Sequence, residues 1–433
     1  MPYEATEISL SDIAFVNPSR QLRKGDLSPF IEMAALPLNS RDIDPNEITK
    51  RKFSGSGARF LNGDVLLARI TPCLENGKTA YISTLDKEVV GHGSTEFIVL
   101  SPKQSQTDAH FLYYLARSPD FRQFAISRME GTSGRQRVSA SSIGSYRFIC
   151  PQASIRAEIG QTLSALDDCI GLNNQSNKTL EAIAQALFKS WFIDFDPVKA
   201  KMAGRQPEAM EEATAVLFPA EFEESEIGLI PKDWWVKSVG DIFDLNPSYR
   251  LSKGSQAPYL DMANVPTSGF RAQQLVNRGF GSGTKFTNGD TLLARITPCL
   301  ENGKTAYVNF LEENQVGWGS TEFIVMRPRQ PLPLEFGYLF ARYAPFRTYA
   351  IQRMSGTSGR QRVSADAIAG YQLAIPLDPI AHAFSESVGS LFKLIKSQDE
   401  QSKNLAKIRD SLLHKLMSGQ LRIPDAESFC EPG

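Results

Sequence analysis

The side chains best suited to chemistry sit in glycine-punctuated basic stretches that occur twice. Residues 131–140 read GTSGRQRVSA, and residues 356–365 repeat those ten letters. Arginine and glutamine are the types that read guanine and adenine edges in a major groove, and glycines let backbone amides approach a phosphate. Ser133, Arg135, Gln136 and Arg137, with Ser358, Arg360, Gln361 and Arg362, are therefore candidate DNA contacts. TKRKFSGSGARF adds Lys50, Arg51, Lys52 and Arg59, and its counterpart NRGFGSGTKF adds Arg278 and Lys285. A third block, LLARITPCLENGKTAY, stands at 66–81 and again at 292–307. It puts Arg69 and Arg295 at the end of an apolar run, where each either faces a ligand or pairs with a glutamate such as Glu75 or Glu96. The same block places Asn76, Lys78, Asn302 and Lys304 in a turn between two strands, within reach of a groove.

Fragments that suggest enzymes fail on spacing. Gly77-Lys78-Thr79 has the end of a phosphate-binding loop, but the glycine required five residues before Gly77 is replaced by Pro72. NPSR at 17–20 and NPSY at 246–249 approximate the Asn-Pro-Pro-aromatic loop of amino-methyltransferases, yet a serine stands at the third position in both and Arg20 replaces one aromatic. His92 becomes Trp318 in the second copy, so it is no shared catalyst. The five cysteines, Cys73, Cys150, Cys169, Cys299 and Cys430, form no CxxC pair, and no metal-ligand cluster appears in both copies.

The 433 residues carry 47 Lys+Arg against 48 Asp+Glu, a net charge of −1, so any attraction to nucleic acid must be local. Residues 206–231 hold seven glutamates and no lysine or arginine, and near-neutrality is thus a sum of basic loops and an acidic stretch. No apolar run approaches the roughly 20 residues of a membrane helix, and MPYEATEISL lacks the pattern of a secretory leader; the expected compartment is the cytoplasm.

These loops must be held by a duplicated scaffold. GSTEFIV at 93–99 returns at 319–325, and the unit of about 225 residues is far too long for a solenoid repeat. Each copy opens with short apolar runs such as DVLLARI and TEFIVL between turn residues, which read as strands, followed by a helical stretch, FLYYLARSPDFRQFAISRM in the first copy. An apolar period of seven then begins. In the first copy the stripe runs through Ile159, Leu163, Leu166, Ile170, Asn173, Asn177, Leu180, Ala184, Leu187 and Trp191. In the second it runs through Phe384, Val388, Leu391, Ile395, Gln398, Ser402, Leu405, Arg409, Leu412 and Leu416. Steps of four and three keep one helix face apolar, so each segment is expected to pair with another helix along a rod of roughly 60 Å. The expected fold class is α+β, with two mixed α/β globular domains at 1–150 and 232–376. Spacer helices span 151–195 and 377–420, with an acidic linker at 196–231 and a tail at 421–433.

Between 63–100 and 289–326, 28 of 38 positions are identical, against seven of 37 between the two helices. A packing stripe requires only apolar letters, whereas the globular blocks repeat polar ones as well. Two such domains, each followed by a periodic helix, with FKSWFIDFDPVKAKMAGRQPE at 188–208, resemble the specificity subunit of type I restriction-modification enzymes. The resemblance covers essentially the whole chain. It implies that each globular part is a target recognition domain reading half of a split sequence in double-stranded DNA. It also implies antiparallel helices that relate the domains by a pseudo-twofold axis and dock two methyltransferase subunits. S-adenosylmethionine and the adenine-methylating site would belong to those partners, DNA cleavage to restriction/translocase subunits where present, and no catalysis to this chain.

The sequence departs from the family pattern in that its domains are alike and its helices are not. Alike domains on antiparallel helices should read inverted copies of one half-site, giving a nearly palindromic target, with His92/Trp318 and a three-residue length difference upstream of Gly63/Gly289 leaving room for a differing base. The competing readings are a self-sufficient methyltransferase or nuclease, and a duplicated scaffold or carbohydrate-binding protein using Tyr81 and Tyr307.

Overall fold

The computed structural model describes residues 5–132, 134–272 and 275–421; for residues 105–107 it describes the backbone alone. The chain forms two compact units, one built from 1–174 and 400–433 and the other from 175–399. The division differs from the linear one expected from sequence, because each unit contains a globular part and one portion of each long helix. Ser133 and the tail beyond Leu421, including Cys430, lie outside the described residues.

In the first unit, one four-stranded antiparallel sheet has the order Ala14–Val16, Phe97–Pro102, Val65–Ala68, Thr79–Tyr81. Val65 to Ala68 is apolar at every position because both faces of this sheet are covered. Val65 and Leu67 pack on the helix Ser105–Arg117, through Phe111, Leu112 and Leu115, whereas Leu66 and Ala68 pack on the opposite side with Ile31, Phe60 and Phe97. That opposite side is a second sheet in the order Thr49–Lys52, Leu27–Ile31, Gly91–Gly93, Ala58–Phe60, whose Leu27–Ile31/Gly91–Gly93 pairing is parallel. Gly91 has no room for a side chain, since a Cβ there would lie 2.4 Å from the Phe60 ring.

The second unit repeats both sheets strand for strand. Phe243–Leu245, Phe323–Pro328, Thr291–Ala294 and Thr305–Tyr307 form one, and Val276–Gly279, Gln256–Leu260, Gly317–Gly319 and Thr284–Phe286 the other. The length difference between the copies falls in two loops: the numbering offset is 229 at Met33/Met262, 227 at Thr49/Val276 and 226 at Ala58/Thr284. The single helical stretch expected after the strands is two helices, Ser105–Arg117 and Pro119–Ser127, because Pro119 lacks the amide that would continue the first and instead opens the second beneath the Ser118 cap.

The long helices, Ala153–Phe192 and Asp378–Met417, have 40 residues each; they begin two and one residues after the expected starts and each ends three residues before the expected end. Within each unit their segments run antiparallel and the predicted stripe lines the seam. In the first, Ile159, Leu163 and Leu166 share a core with Leu412 and Leu416, and Leu405 packs at its edge. Asn173 donates to Ser402 and Gln401, and the Arg409 guanidinium meets Asp167, which also accepts from Tyr114 at 2.6 Å. In the second unit, Trp191 packs against Phe384 with its ring tilted, Val388 and Ile395 are buried beside them, Leu180, Leu187 and Leu391 pack at the edge, and Asn177 donates to Asp399 at 3.1 Å. The polar letters in the stripe thus find partners across the seam.

Residues 196–231 are not a bare linker. They form helices Asp196–Met202 and Glu212–Leu217 and a hairpin, Phe222–Ser225 with Gly228–Pro231. Val198, Phe218 and Ile230 join the second unit's core while most of the glutamates stay exposed. The WFIDFDPVKAK stretch is core material too: Phe192 contacts Trp234, Phe336 and Phe384, and Phe195 contacts Trp234. Among the described residues no helix is long and apolar enough to cross a membrane. Phe384→Ala removes a fully buried ring from this aromatic cluster, so it should cost about 3–5 kcal/mol in urea unfolding followed by tryptophan fluorescence.

Candidate nucleic-acid interface

The basic residues that sequence groups together are put to different uses by the fold. Arg137 lies in the strand Arg137–Val138 and grips Glu96 with Nε at 2.9 and 3.0 Å and Nη2 at 2.7 Å, while its Nη1 donates to the Arg135 carbonyl. Arg362 does the same to Glu322 and the Arg360 carbonyl. These two arginines are clamps rather than free DNA contacts, and they take the glutamate that sequence offered to Arg69. Lys78 donates to the Met33 and Ala34 carbonyls, and Lys304 to those of Met262 and Ala263. Each ammonium thus satisfies the carbonyls of a short 3-10 turn. With Thr79 buried in a strand, this also disposes of the phosphate-loop likeness.

Other candidates remain presented outward. The loop of 131–137 is tied at its base, where the Gln136 carbonyl accepts from the Thr71 amide at 3.1 Å, and Gln361 and Thr297 repeat this at 3.0 Å. That leaves Gln136 and Gln361 half-buried, and Arg135, Arg360 and Ser358 exposed near the tip. Asn76 and Asn302 are exposed at the turn. Lys50, Arg51 and Lys52 lie on the exposed edge strand Thr49–Lys52, with Arg51 bridged to Glu32 and its guanidinium 4.3 Å over Phe30. Arg278 occupies the matching place over Tyr259 at 4.7 Å.

Arg69 and Arg295 converge on a feature that sequence did not reveal. Each lines a polar cleft, of about 390 Å³ in the first unit and about 310 Å³ in the second. The walls are equivalent: Asn17 to Ser19 with Gly57 to Arg59 and Thr95, against Asn246 to Tyr249 with Gly283 to Lys285 and Thr321. Asn17 and Asn246 adopt left-handed φ of 51° and 52°, and their side chains accept from the Val99 and Val325 amides at 2.8 and 2.9 Å, which seats the Asn-Pro-Ser loop. Gly57 and Gly283 are required because a Cβ would fall 2.3 and 2.1 Å from the carbonyls of Gly93 and Gly319. The Nε of both Arg69 and Arg295 is buried without a partner, and among the described residues neither guanidinium makes a hydrogen bond or ion pair. An unmade buried hydrogen bond costs about 1–3 kcal/mol, and it recurs at the same place in both units.

Where the copies differ beside the clefts, they differ in compensated pairs. Arg20 bridges the buried Asp64 at 2.6 Å and touches Ser101; in the second unit Tyr249 replaces Arg20, Arg327 replaces Ser101, and both meet Asp290 at 3.0 and 2.7 Å. Burial holds the Asp64 and Asp290 carboxyls above their ordinary range even with a guanidinium facing each. His92 is likewise internal: burial lowers its pKa, and its Nδ1 shares a 2.8 Å hydrogen bond with Ser28. Trp318 is buried too, and Ala257 stands at the place of Ser28, so the polar pair has been exchanged for an apolar one. The His92/Trp318 difference is therefore a core exchange rather than a difference in base reading. Tyr307 is also buried, unlike the exposed platform a sugar-binding role requires.

Residues 7–182 match the family described as Type I restriction modification DNA specificity domain. Over 405 residues the chain is 26% identical to the type I restriction enzyme HindI specificity subunit of Haemophilus influenzae, covering 83% of this chain and 86% of that one. It is 26% identical to the MjaIX specificity subunit of Methanocaldococcus jannaschii over 73% of this chain and 70% of the relative. The crystal structure of the S subunit of a type I restriction-modification system from M. genitalium shares the fold, with a TM-score of 0.53, 14% identity and 96% of each chain covered.

Two outcomes follow from the geometry. The Arg137 guanidinium holds the Glu96 carboxyl below the ordinary glutamate range. The pair's contribution to stability is thus present above about pH 4.3 and lost as pH falls through that lowered value; in a carbon NMR titration Glu96 should titrate low, and Arg137→Gln should move it up. Arg20→Tyr alone should destabilise the first unit by about 3–5 kcal/mol by stripping Asp64 of its countercharge, and adding Ser101→Arg should recover most of the loss in a denaturation cycle. In its duplicated domains and paired long helices, as in these matches, the chain is similar to the specificity subunits of type I restriction-modification enzymes.

Proposed function

We propose that this chain is the non-catalytic DNA-recognition subunit of a type I restriction-modification complex, each unit reading one half of a bipartite target. The observation that carries the proposal is the matched pair of clefts, each keeping one arginine, Arg69 or Arg295, out of every internal ion pair while neighbouring basic residues are consumed in holding the loops. An arginine so held offers parallel donors to a phosphate or to a guanine edge, in a place the fold leaves open. Arg135 and Arg360, with Lys50, Lys52 and Arg278 on the edge strands, supply attraction to the DNA backbone that the net charge of −1 does not.

The long helices, exposed away from their seam, are the surfaces proposed to dock two methyltransferase subunits, which bring S-adenosylmethionine and methylate adenine. Restriction/translocase subunits would join where a cleavage activity exists, and the complex would work in the cytoplasm. Because the two recognition domains repeat one another and the helix segments pair antiparallel in each unit, the half-sites are proposed to be inverted near-copies separated by a gap of constant length.

Two measurements test this. The chain assembled with its methyltransferase should bind duplex DNA with an affinity that falls steeply with salt; Arg135→Ala and Arg360→Ala should each flatten the slope by about one, and Arg69→Ala or Arg295→Ala should cost about 1–3 kcal/mol. A salt-independent interaction would reject the DNA role. Sequencing of methylated adenines in cells carrying the system should return a split, nearly palindromic motif, and two unrelated half-sites would reject the inverted reading.

A further inference from the structure

The two clefts differ at one charged lining position, Arg59 in the first unit and Lys285 in the second. The structure holds both side chains in the same place by the same two contacts. Arg59 donates through Nη1 to the carbonyl of Arg20 and lies 5.8 Å from the Phe53 ring centre; Lys285 donates through Nζ to the carbonyl of Tyr249 at 2.9 Å and lies 5.0 Å from that of Phe280. Those carbonyls belong to corresponding residues of the two Asn-Pro-Ser loops. Both cations are therefore aimed into their clefts beside the uncommitted Arg69 and Arg295, and what differs is the shape of the donor.

With Nη1 engaged, Arg59 keeps its Nε–Nη2 edge, a planar fork whose two parallel donors match the O6 and N7 acceptors of guanine. With one proton engaged, Lys285 keeps two donors on a rotating ammonium, a point charge that suits any single acceptor. We infer that position 59/285 is the specificity-determining difference between the two units: Arg59 demands guanine at one base pair of its half-site, and Lys285 tolerates alternatives at the mirrored base pair of the other. The inference rests on the DNA-reading role proposed above. It also locates the departure from a perfect palindrome at this position, since the His92/Trp318 exchange is internal.

The test uses the complete chain assembled with its methyltransferase, as wild type, Arg59→Lys, Lys285→Arg and the double exchange. Methylated motifs are read genome-wide, and binding is measured on duplexes substituted one base pair at a time. Arg59→Lys should lower discrimination at a single position of one half-site by roughly 5- to 150-fold. Lys285→Arg should raise it at the mirrored position of the other half, and the double exchange should swap the two halves' stringency. Unchanged motifs in all variants, changes in both halves from a single variant, or uniform weakening with a flatter salt slope, the mark of a phosphate contact, would each overturn the inference. Failure of the DNA-reading role is told apart in the wild-type arm, where no salt-dependent duplex binding would be seen at all. Thermal melting of each variant guards against a folding defect, and a charge-conserving swap at a half-buried position should leave it unmoved.

Discussion

Each of the two units depends on its own antiparallel helix seam, in which apolar packing is joined by buried polar links. Within each unit the core of the globular part is continuous with the helices. It packs on the antiparallel helix pair through Ile159, Leu163, Leu412 and Leu416 in the first unit and Phe384, Val388 and Ile395 in the second. Buried polar links then set the register. Asp167 accepts from both Tyr114 and Arg409, while Arg41 reaches Ser164 and Asp168 from the domain side; in the second unit Glu181 accepts from Tyr338 and Asp399 from Arg271. Apolar contacts tolerate sliding by a heptad, whereas a buried carboxylate displaced from its guanidinium does not. The seam is thus an anchoring surface as well as a spacer.

Covering the domain sheet on both faces has a functional consequence. Because Val65 to Ala68 and Thr291 to Ala294 are buried throughout, the arginine that follows each strand is the first residue that can reach solvent. It emerges rigidly held, into a cleft whose other wall is the Asn-Pro-Ser loop. The fold then spends other basic residues on keeping that cleft in shape: Lys78 and Lys304 satisfy turn carbonyls, and Arg137 and Arg362 clamp glutamates. For the DNA reading proposed above, a cleft built on a sheet end with a few uncommitted donors supplies donors in fixed geometry, which is the condition for discriminating bases by hydrogen bonding.

Much of this was legible in the letters. Exact repetition of polar blocks marked the modules, the period of seven located both long helices to within three residues at each end, and Pro/Gly punctuation marked the short strands. The fate of each basic side chain was not legible, because identity between copies cannot separate a residue kept for its internal partner from one kept for a ligand. Arg137 and Arg69 are equally well repeated, yet one is consumed by Glu96 and the other is not. Ser28 with His92, and Arg20 with Ser101, are remote in sequence, so their compensated exchange for Ala257 with Trp318 and Tyr249 with Arg327 emerges only once strands are paired.

The sequence by itself determined the duplication, the α+β class, and the two helices with their facing stripe, because these depend on local periodicity and on letters that recur at a constant offset. Tertiary structure alone decided that each unit mixes parts of both helices, that residues 196–231 fold into the second core, and which cations remain available. Those outcomes depend on contacts between residues remote in sequence, such as Arg137 with Glu96, 41 positions apart, and Arg409 with Asp167, 242 positions apart. No local pattern records such a contact; only the folded chain brings the partners within hydrogen-bonding distance.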